Sequence, residues 1–254
     1  MTSTSSSNRT TPQIVPHAPG EMPMGAQTYS SAIADADNYT RWVCDLLRPH
    51  LGRRVLEVGI GHAKYRTHFG SLDRYVGVDI DSASVADAQR GDPSNRYVAA
   101  DAEKPDFAER IGERDFDSVV LINVLEHIEK HDLAVTNLAS LLRPGGKLCI
   151  YVPAMPALYG EMDRLAGHWR RYTRRSLREA LAGSTTVLSC RYVNPIGALG
   201  WWLNRKRAIS TLDDANVNAQ IRFFDRWVLP LSRLASPLTG PFFGQSVVGI
   251  GRRG

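Results

Sequence analysis

Cysteine is scarce: the 254 residues include only Cys44, Cys149 and Cys190, odd in number and far apart. No two stand at the spacing of a zinc site, so neither a metal nor a disulfide framework is expected, and a reducing cytoplasm is the expected compartment. An excess of charge of one sign is also lacking. Lys and Arg outnumber Asp and Glu by only 31 to 26, which argues against a dedicated nucleic-acid binder. Nor does any uninterrupted apolar run approach the ~18 residues of a membrane-spanning helix. The opening stretch, MTSTSSSNRTTPQIVPHAPGEMPMG, lacks the apolar centre of a signal peptide, and its Ser, Thr and Pro content predicts a disordered tail over residues 1–25. There is no internal repeat.

What is present is an ordinary globular composition, 43% hydrophobic and 22% charged, long enough for one domain over residues 26–254 with elaborations. A helical pattern from about Ile33 to Leu51 places Tyr39, Trp42, Val43, Leu46 and Leu47 on one stripe. Apolar runs then recur at Val55–Val58, Tyr75–Val78, Tyr97–Ala100, Ser118–Ile122 and Lys147–Val152, with helix-suited segments between them. Such crossovers return a chain parallel, so the spacing predicts a doubly wound, mainly parallel α/β sheet covered by helices on both faces. The motif RPGG, Arg143–Gly146, reads as the turn into the fifth strand. Two more strands are expected at Thr186–Val193 and Gln245–Gly251, making seven. Residues 195–244 between them, with Ile221, Phe224, Val228, Leu231 and Leu234 at helical spacing, predict a helical insertion. It packs over a sheet edge or caps a ligand crevice.

The stretch VLEVGIGHAKY, Val55–Tyr65, runs a strand into glycines. Gly59 and Gly61 leave backbone open at the strand's end, and a helix opening near His62 would aim free N–H groups at an anion. Structural turns use the same residues. The context adds more: Asp79 ends the next strand, where a carboxylate accepts hydrogen bonds from ribose hydroxyls, and Asp101 ends the third. These features predict a nucleoside-bearing cofactor. A nicotinamide fingerprint wants glycine where Lys64 stands, and no P-loop lysine follows.

Taken in order, VLEVGIGHA, VGVDID, AADAEK, LINVLEHI and LLRPGGKLCIYVPA resemble the successive motifs of the class I S-adenosylmethionine-dependent methyltransferases, from Val55 to Ala154. The resemblance implies a Rossmann-like fold with S-adenosyl-L-methionine as cofactor and S-adenosyl-L-homocysteine as product. It implies that Glu57, Gly59 and Gly61 surround the methionine part, that Asp79 and Ile80 hold the ribose and flank the adenine, that Asp101 and Ala102 meet the adenine edge, and that Asn123 sits at the sulfonium side. The usual third glycine is Ala63 here. Tyr29 and Tyr39 fall where related enzymes bring a lid over the cofactor; packing and tail are the plain alternatives.

His127, after the fourth strand, reads as a general base or as a structural histidine at a helix start. The acceptor-side segment 154–175 resembles that of a methyltransferase subgroup in which an Asp, a Gly-His and an Arg-Tyr recur near the acceptor. Asp163, His168, Arg171 and Tyr172 match. His168 is the second catalytic candidate, and Asp163, Arg171, Tyr172 and Trp201 are expected to bind substrate, with core packing as the alternative. Arginines cluster at Arg170, Arg171, Arg174, Arg175 and Arg178, and basic residues again at Arg205, Lys206 and Arg207. Each cluster reads as a solvated helix face or a grip on an acidic ligand group. Where amino-methylating DNA enzymes carry Asn/Asp-Pro-Pro-aromatic, this chain has Asn123-Val124-Leu125-Glu126. A small organic acceptor is therefore expected, methylated on oxygen, with nitrogen or carbon as the alternatives: a secondary metabolite, sugar or lipid-like compound. The alternatives are a methyltransferase of protein or RNA, and a non-methylating cyclase or regulator on the same scaffold. The expected assembly is a monomer or homodimer, and GWWLNRKR either touches a membrane surface peripherally or packs as cap core.

Overall fold

The computed structural model describes residues 36–204 and 215–254; the expected tail, Tyr29, the start of the first helix and the basic run Arg205–Arg207 lie outside them. Seven strands, β1 (Arg54–Val58), β2 (Arg74–Asp79), β3 (Arg96–Ala99), β4 (Phe116–Ile122), β5 (Leu142–Pro153), β6 (Thr186–Val193) and β7 (Ser246–Arg252), form one sheet in the order β3-β2-β1-β4-β5-β7-β6. β1 to β5 pair in parallel, and β7 runs antiparallel to both neighbours. The central strands β1 and β4 are buried on both faces and read as nearly continuous apolar runs, as parallel strands do.

Alternate strand residues feed two separate cores. Leu56, Val119, Leu121 and Ile150 pack on one face against α3 (Phe107–Ile111), α4 (His131–Ser140) and α6 (Arg174–Ala182). Val55, Val120, Ile122 and Tyr151 pack on the other, against α1 (Asp37–Leu47), α2 (Ser82–Gly91) and a cap helix described below. The doubly wound α/β architecture is therefore as expected.

Two local expectations fail. RPGG lies inside β5, not before it: pairing with β4 jumps from Phe116↔Leu142 to Ser118↔Lys147, a bulge that takes up the extra residues. Gly145 there has φ +77°, and the side chain of Asp117 takes the Arg143 Nε–H. Nor does a helix open at His62. Gly61 and Ala63 hold left-handed φ of +48° and +54°, which no α-helix accommodates, and the connection carries only a 3-10 turn at Arg66–His68. No helix N-terminus therefore faces an anion at that loop.

Between β6 and β7 lies the expected helical insertion: α7 (Pro195–Asn204), α8 (Ala215–Phe223), a π turn (Phe224–Val228) and α9 (Leu229–Thr239). The short helix α5 (Glu161–Leu165) follows β5. The Asp225 carboxylate of the π turn accepts the Tyr39 backbone N–H at 2.7 Å and the Asn38 side-chain N–H at 3.1 Å, tying the cap to the start of α1.

Candidate active site

The sheet's winding reverses between β1 and β4, so the carboxyl ends of β1, β2 and β4 frame a crevice. Gly59 has φ +79°, and a Cβ there would lie 2.1 Å from Val124 Cγ2. Glycine is thus required for the loop after β1 to seat against the loop after β4, independently of any ligand. The Gly61 N–H donates to Asp79 Oδ2 at 2.9 Å, and the Asp81 N–H donates to Asp79 Oδ1 at 3.0 Å. Burial pushes the Asp79 pKa up against these two donors. Each oxygen keeps a second lone pair for a further donor, and the exposed Ile80 side chain stands beside it.

Glu57 is buried on β1, with Oε2 accepting from Tyr75 O–H at 2.7 Å and Oε1 without a partner among the described residues. Burial drives its pKa to about 8. Asp101 Oδ1 accepts the Glu103 N–H at 2.9 Å. Ala102 is buried in the core, its carbonyl held by Asn137, so only backbone and the Asp101 carboxylate remain there for an adenine edge.

On the other side of the crevice β4 ends at Asn123, bent to φ +53° with its N–H on the Tyr151 carbonyl at 2.8 Å. The 3-10 turn Leu125–His127 follows. It sets Glu126 and His127 in the wall of a cavity of about 690 Å³, whose polar side also carries Asn123 and His168. The cap supplies the apolar side, including Ile196, Leu199, Trp201, Phe223 and Val228.

Glu126 is fully buried, and neither carboxylate oxygen has a hydrogen-bond partner among the described residues. Burial raises its pKa to about 8. His168 Nε2 lies 4.0 Å from Glu126 Oε1, while its Nδ1 is 2.8 Å from Asp163 Oδ1. Asp163 also accepts the Arg171 Nε–H at 2.8 Å. Burial pushes the Asp163 pKa up, but the Arg171 guanidinium and His168 outweigh it, and the group ends below its ordinary value. An ionised Asp163 accepts a hydrogen bond from the His168 Nδ1–H, which turns Nε2 toward Glu126. The His127 ring meets the His168 ring edge to face, centroids 4.7 Å apart. Burial, together with His168, lowers the His127 pKa to about 3, which leaves it neutral and a weak proton acceptor.

The structure brings Asn123, His127, His168, Arg171 and Trp201 together around the cavity and sets two expected substrate contacts behind it. Tyr172 is core: its O–H donates to the Leu125 carbonyl at 3.1 Å and lies 3.0 Å from His131 Nδ1. Asp163 is fully buried and is linked to the cavity wall through His168, Arg171 and the Gly160 N–H. Arg171 itself spends Nη1 on the Ala154 carbonyl and stacks its guanidinium 5.0 Å from the Trp201 ring. The arginine cluster is no common anion grip either, since Arg170 bonds the Glu129 carbonyl, Arg174 the Cys190 carbonyl and Arg175 the Glu179 side chain. Tyr39 lines the cavity with its hydroxyl 2.8 Å from that of Tyr151. Glu126 is the residue sequence reasoning passed over. A carboxylate between Leu125 and His127, in a segment otherwise apolar, was the available signal.

Residues 56–150 match a family model described as a methyltransferase domain. Among characterised relatives, a fatty-acid O-methyltransferase of Mycolicibacterium smegmatis is 30% identical over 110 residues, 41% of this chain and 38% of that protein. An O-methyltransferase, rstn1, of Aspergillus nomiae is 28% identical over 122 residues, 45% of this chain and 52% of that protein. The chain spans about a quarter to a half of the length of the curated relatives it matches. Among solved structures, the [4+2]-cyclase SpnF superposes with TM-score 0.57 at 17% identity, covering 84% of this chain and 81% of that one. The N-methyltransferase NodS of Bradyrhizobium japonicum, in complex with S-adenosyl-L-homocysteine, gives 0.51 at 14%, covering 89% and 98%. At these identities the superpositions establish the fold alone.

Proposed function

We propose, from the premise that residues 56–150 form a methyltransferase domain of the class I S-adenosylmethionine-dependent family, that the chain methylates an oxygen of a small, partly apolar acceptor. The observation that carries this reading is the mixed cavity. One wall is apolar cap, and the other presents Glu126 and His168 beside Asn123 at the end of β4.

The residues present fit the cofactor. Glu57 offers a buried oxygen without a partner among the described residues, for an ammonium or a bridging water, and Asp79 keeps free lone pairs. On this reading Glu57, Gly59 and Gly61 hold its methionine part, Asp79 and Ile80 its ribose, Asp101 and the Ala102 backbone its adenine edge, and Asn123 its sulfonium side. When bound, the cofactor supplies an electrophilic methyl group.

The chain's own contribution is positional and protic. The cap excludes water from the cavity and the apolar wall orients the acceptor. Glu126, its pKa raised to about 8, accepts the proton that the acceptor oxygen loses, with His168 Nε2 as the neighbouring acceptor held in register by Asp163. His127 packs against His168 and positions it. Incubation with methyl-labelled cofactor and a panel of hydroxylated and carboxylic acceptors tests the reading. It expects label in a methyl ether or ester. Cofactor binding with no demethylated product on any acceptor would leave the non-methylating alternative.

A further inference from the structure

Helix α9 is turned opposite to an ordinary surface helix. Amphipathic helices bury their apolar stripe, whereas α9, past Leu229 in its first turn, buries Ser232 and Ser236 and presents Leu231, Leu234 and Leu238, the last two 76% and 79% exposed. Hydrogen bonds fix this orientation. Ser232 Oγ donates to Asn194 Oδ1 at 2.7 Å and accepts the Ile196 N–H at 3.2 Å, and Ser236 Oγ accepts the Asn194 N–H at 3.1 Å. Rolling the helix to hide its leucines would strip fully buried Asn194 of these partners.

Trp227 extends the stripe one turn back, and Phe242, beyond the end of α9, is also exposed. Among the described residues ten of the thirteen large exposed apolar side chains lie on this cap, far more than scattered surface residues would give. The charge beside them has one sign. Arg222 and Arg226 are exposed, with Arg226 5.3 Å from the centre of the Trp227 ring, and Arg233 reaches toward Asp45 at 3.5 Å. Asp225, the one acidic residue in the described part of the cap, is buried and held by Asn38 and Tyr39. Leu199, Leu203 and Phe223 are exposed and also line the cavity, so the cavity reaches this face.

We propose that the cap is a docking face for an anionic lipid bilayer, and that the acceptor is a bilayer-resident amphiphile whose polar head enters the cavity toward Glu126. Among the described cap residues, exposed leucine and tryptophan stand with arginine and without an exposed carboxylate, the composition of an interfacial helix. The head-inward part rests on the methyl-transfer reading above; the docking part does not.

Flotation of the full chain with phosphatidylcholine vesicles, with and without phosphatidylglycerol, tests the docking. Retention on the anionic vesicles that falls with salt is expected, with Leu234→Asp/Leu238→Asp weakening it about tenfold or more and leaving the melting curve unchanged. No retention overturns the proposal. So does a concentration-dependent dimer that this double variant converts to monomer, because a second copy then covers the face. In a second arm, a long-chain hydroxylated amphiphile in vesicles is compared with its short-chain soluble analogue. The double variant is expected to match the parent on the soluble analogue and fall about tenfold on the vesicle-borne one; equal turnover on both overturns the amphiphile assignment. Vesicle binding with neither compound methylated supports docking and removes the methyl-transfer reading.

Discussion

Replacing Glu126 by Gln should separate catalysis from stability in one protein. The two side chains are nearly isosteric, and neither carboxylate oxygen has a partner among the described residues, so the perturbation is chiefly loss of a titratable group. In the folded chain the pKa rises from 4.5 to about 8. Between those values the folded state keeps a proton that the unfolded state has released, so the parent loses stability as pH rises through this window and the loss levels off above it. At ~1.36 kcal/mol per pKa unit the full effect is on the order of 3–5 kcal/mol. Glu126→Gln should therefore melt with the parent near pH 4.5 and on the order of 10 °C above it at pH 9. Glu57, raised in the same window, is common to both proteins and cancels in the comparison. Turnover should fall by about 10²–10⁴, the limb of kcat near pH 8 should vanish, and cofactor affinity should hold. A melting difference independent of pH would refute the buried-ionisation argument; full turnover would refute the role as proton acceptor.

His168→Gln should lower kcat by about 10²-fold or more with unchanged cofactor binding, whereas His127→Gln, replacing an already neutral ring, should cost less; steady-state kinetics on both variants check the order. Asp163→Asn leaves Arg171 buried without its anion and should cost about 3–5 kcal/mol in urea unfolding. Gly59→Ala forces a side chain onto φ +79° and against Val124, and should destabilise by about 2–4 kcal/mol. Val124→Ala in the same chain should restore part of this loss by removing the clash but not the backbone strain, as chemical denaturation would read.

The sheet was legible because its strands are apolar runs at regular spacing, each found close to its expected place except the start of β5, which takes in RPGG. The antiparallel pairing of β7 is set by the length and packing of the cap, which periodicity does not encode. The glycine turn was readable as a turn but not as helix-free, since the left-handed Ala63 overrides a sequence that otherwise suits a helix. Candidate residues close in sequence to strand ends lie at the crevice or the cavity, as Asp79 and Asn123 do. Glu126 was passed over and Tyr172 misassigned because their roles depend on which way a side chain points, and adjacent residues on a tight turn point differently. The α9 leucines show the same limit: their spacing gives a helix face but not whether it faces core or solvent, which Asn194 decides through partners 38 and 42 residues away in sequence.

The account depends most on a sulfonium nucleoside being held at the carboxyl ends of β1, β2 and β3. Calorimetric titration of S-adenosyl-L-homocysteine into the parent and into Asp79→Ala measures it directly. One binding site per chain is predicted, weakened at least about tenfold in the variant; no heat with the parent, or equal affinity in the two proteins, would contradict the account.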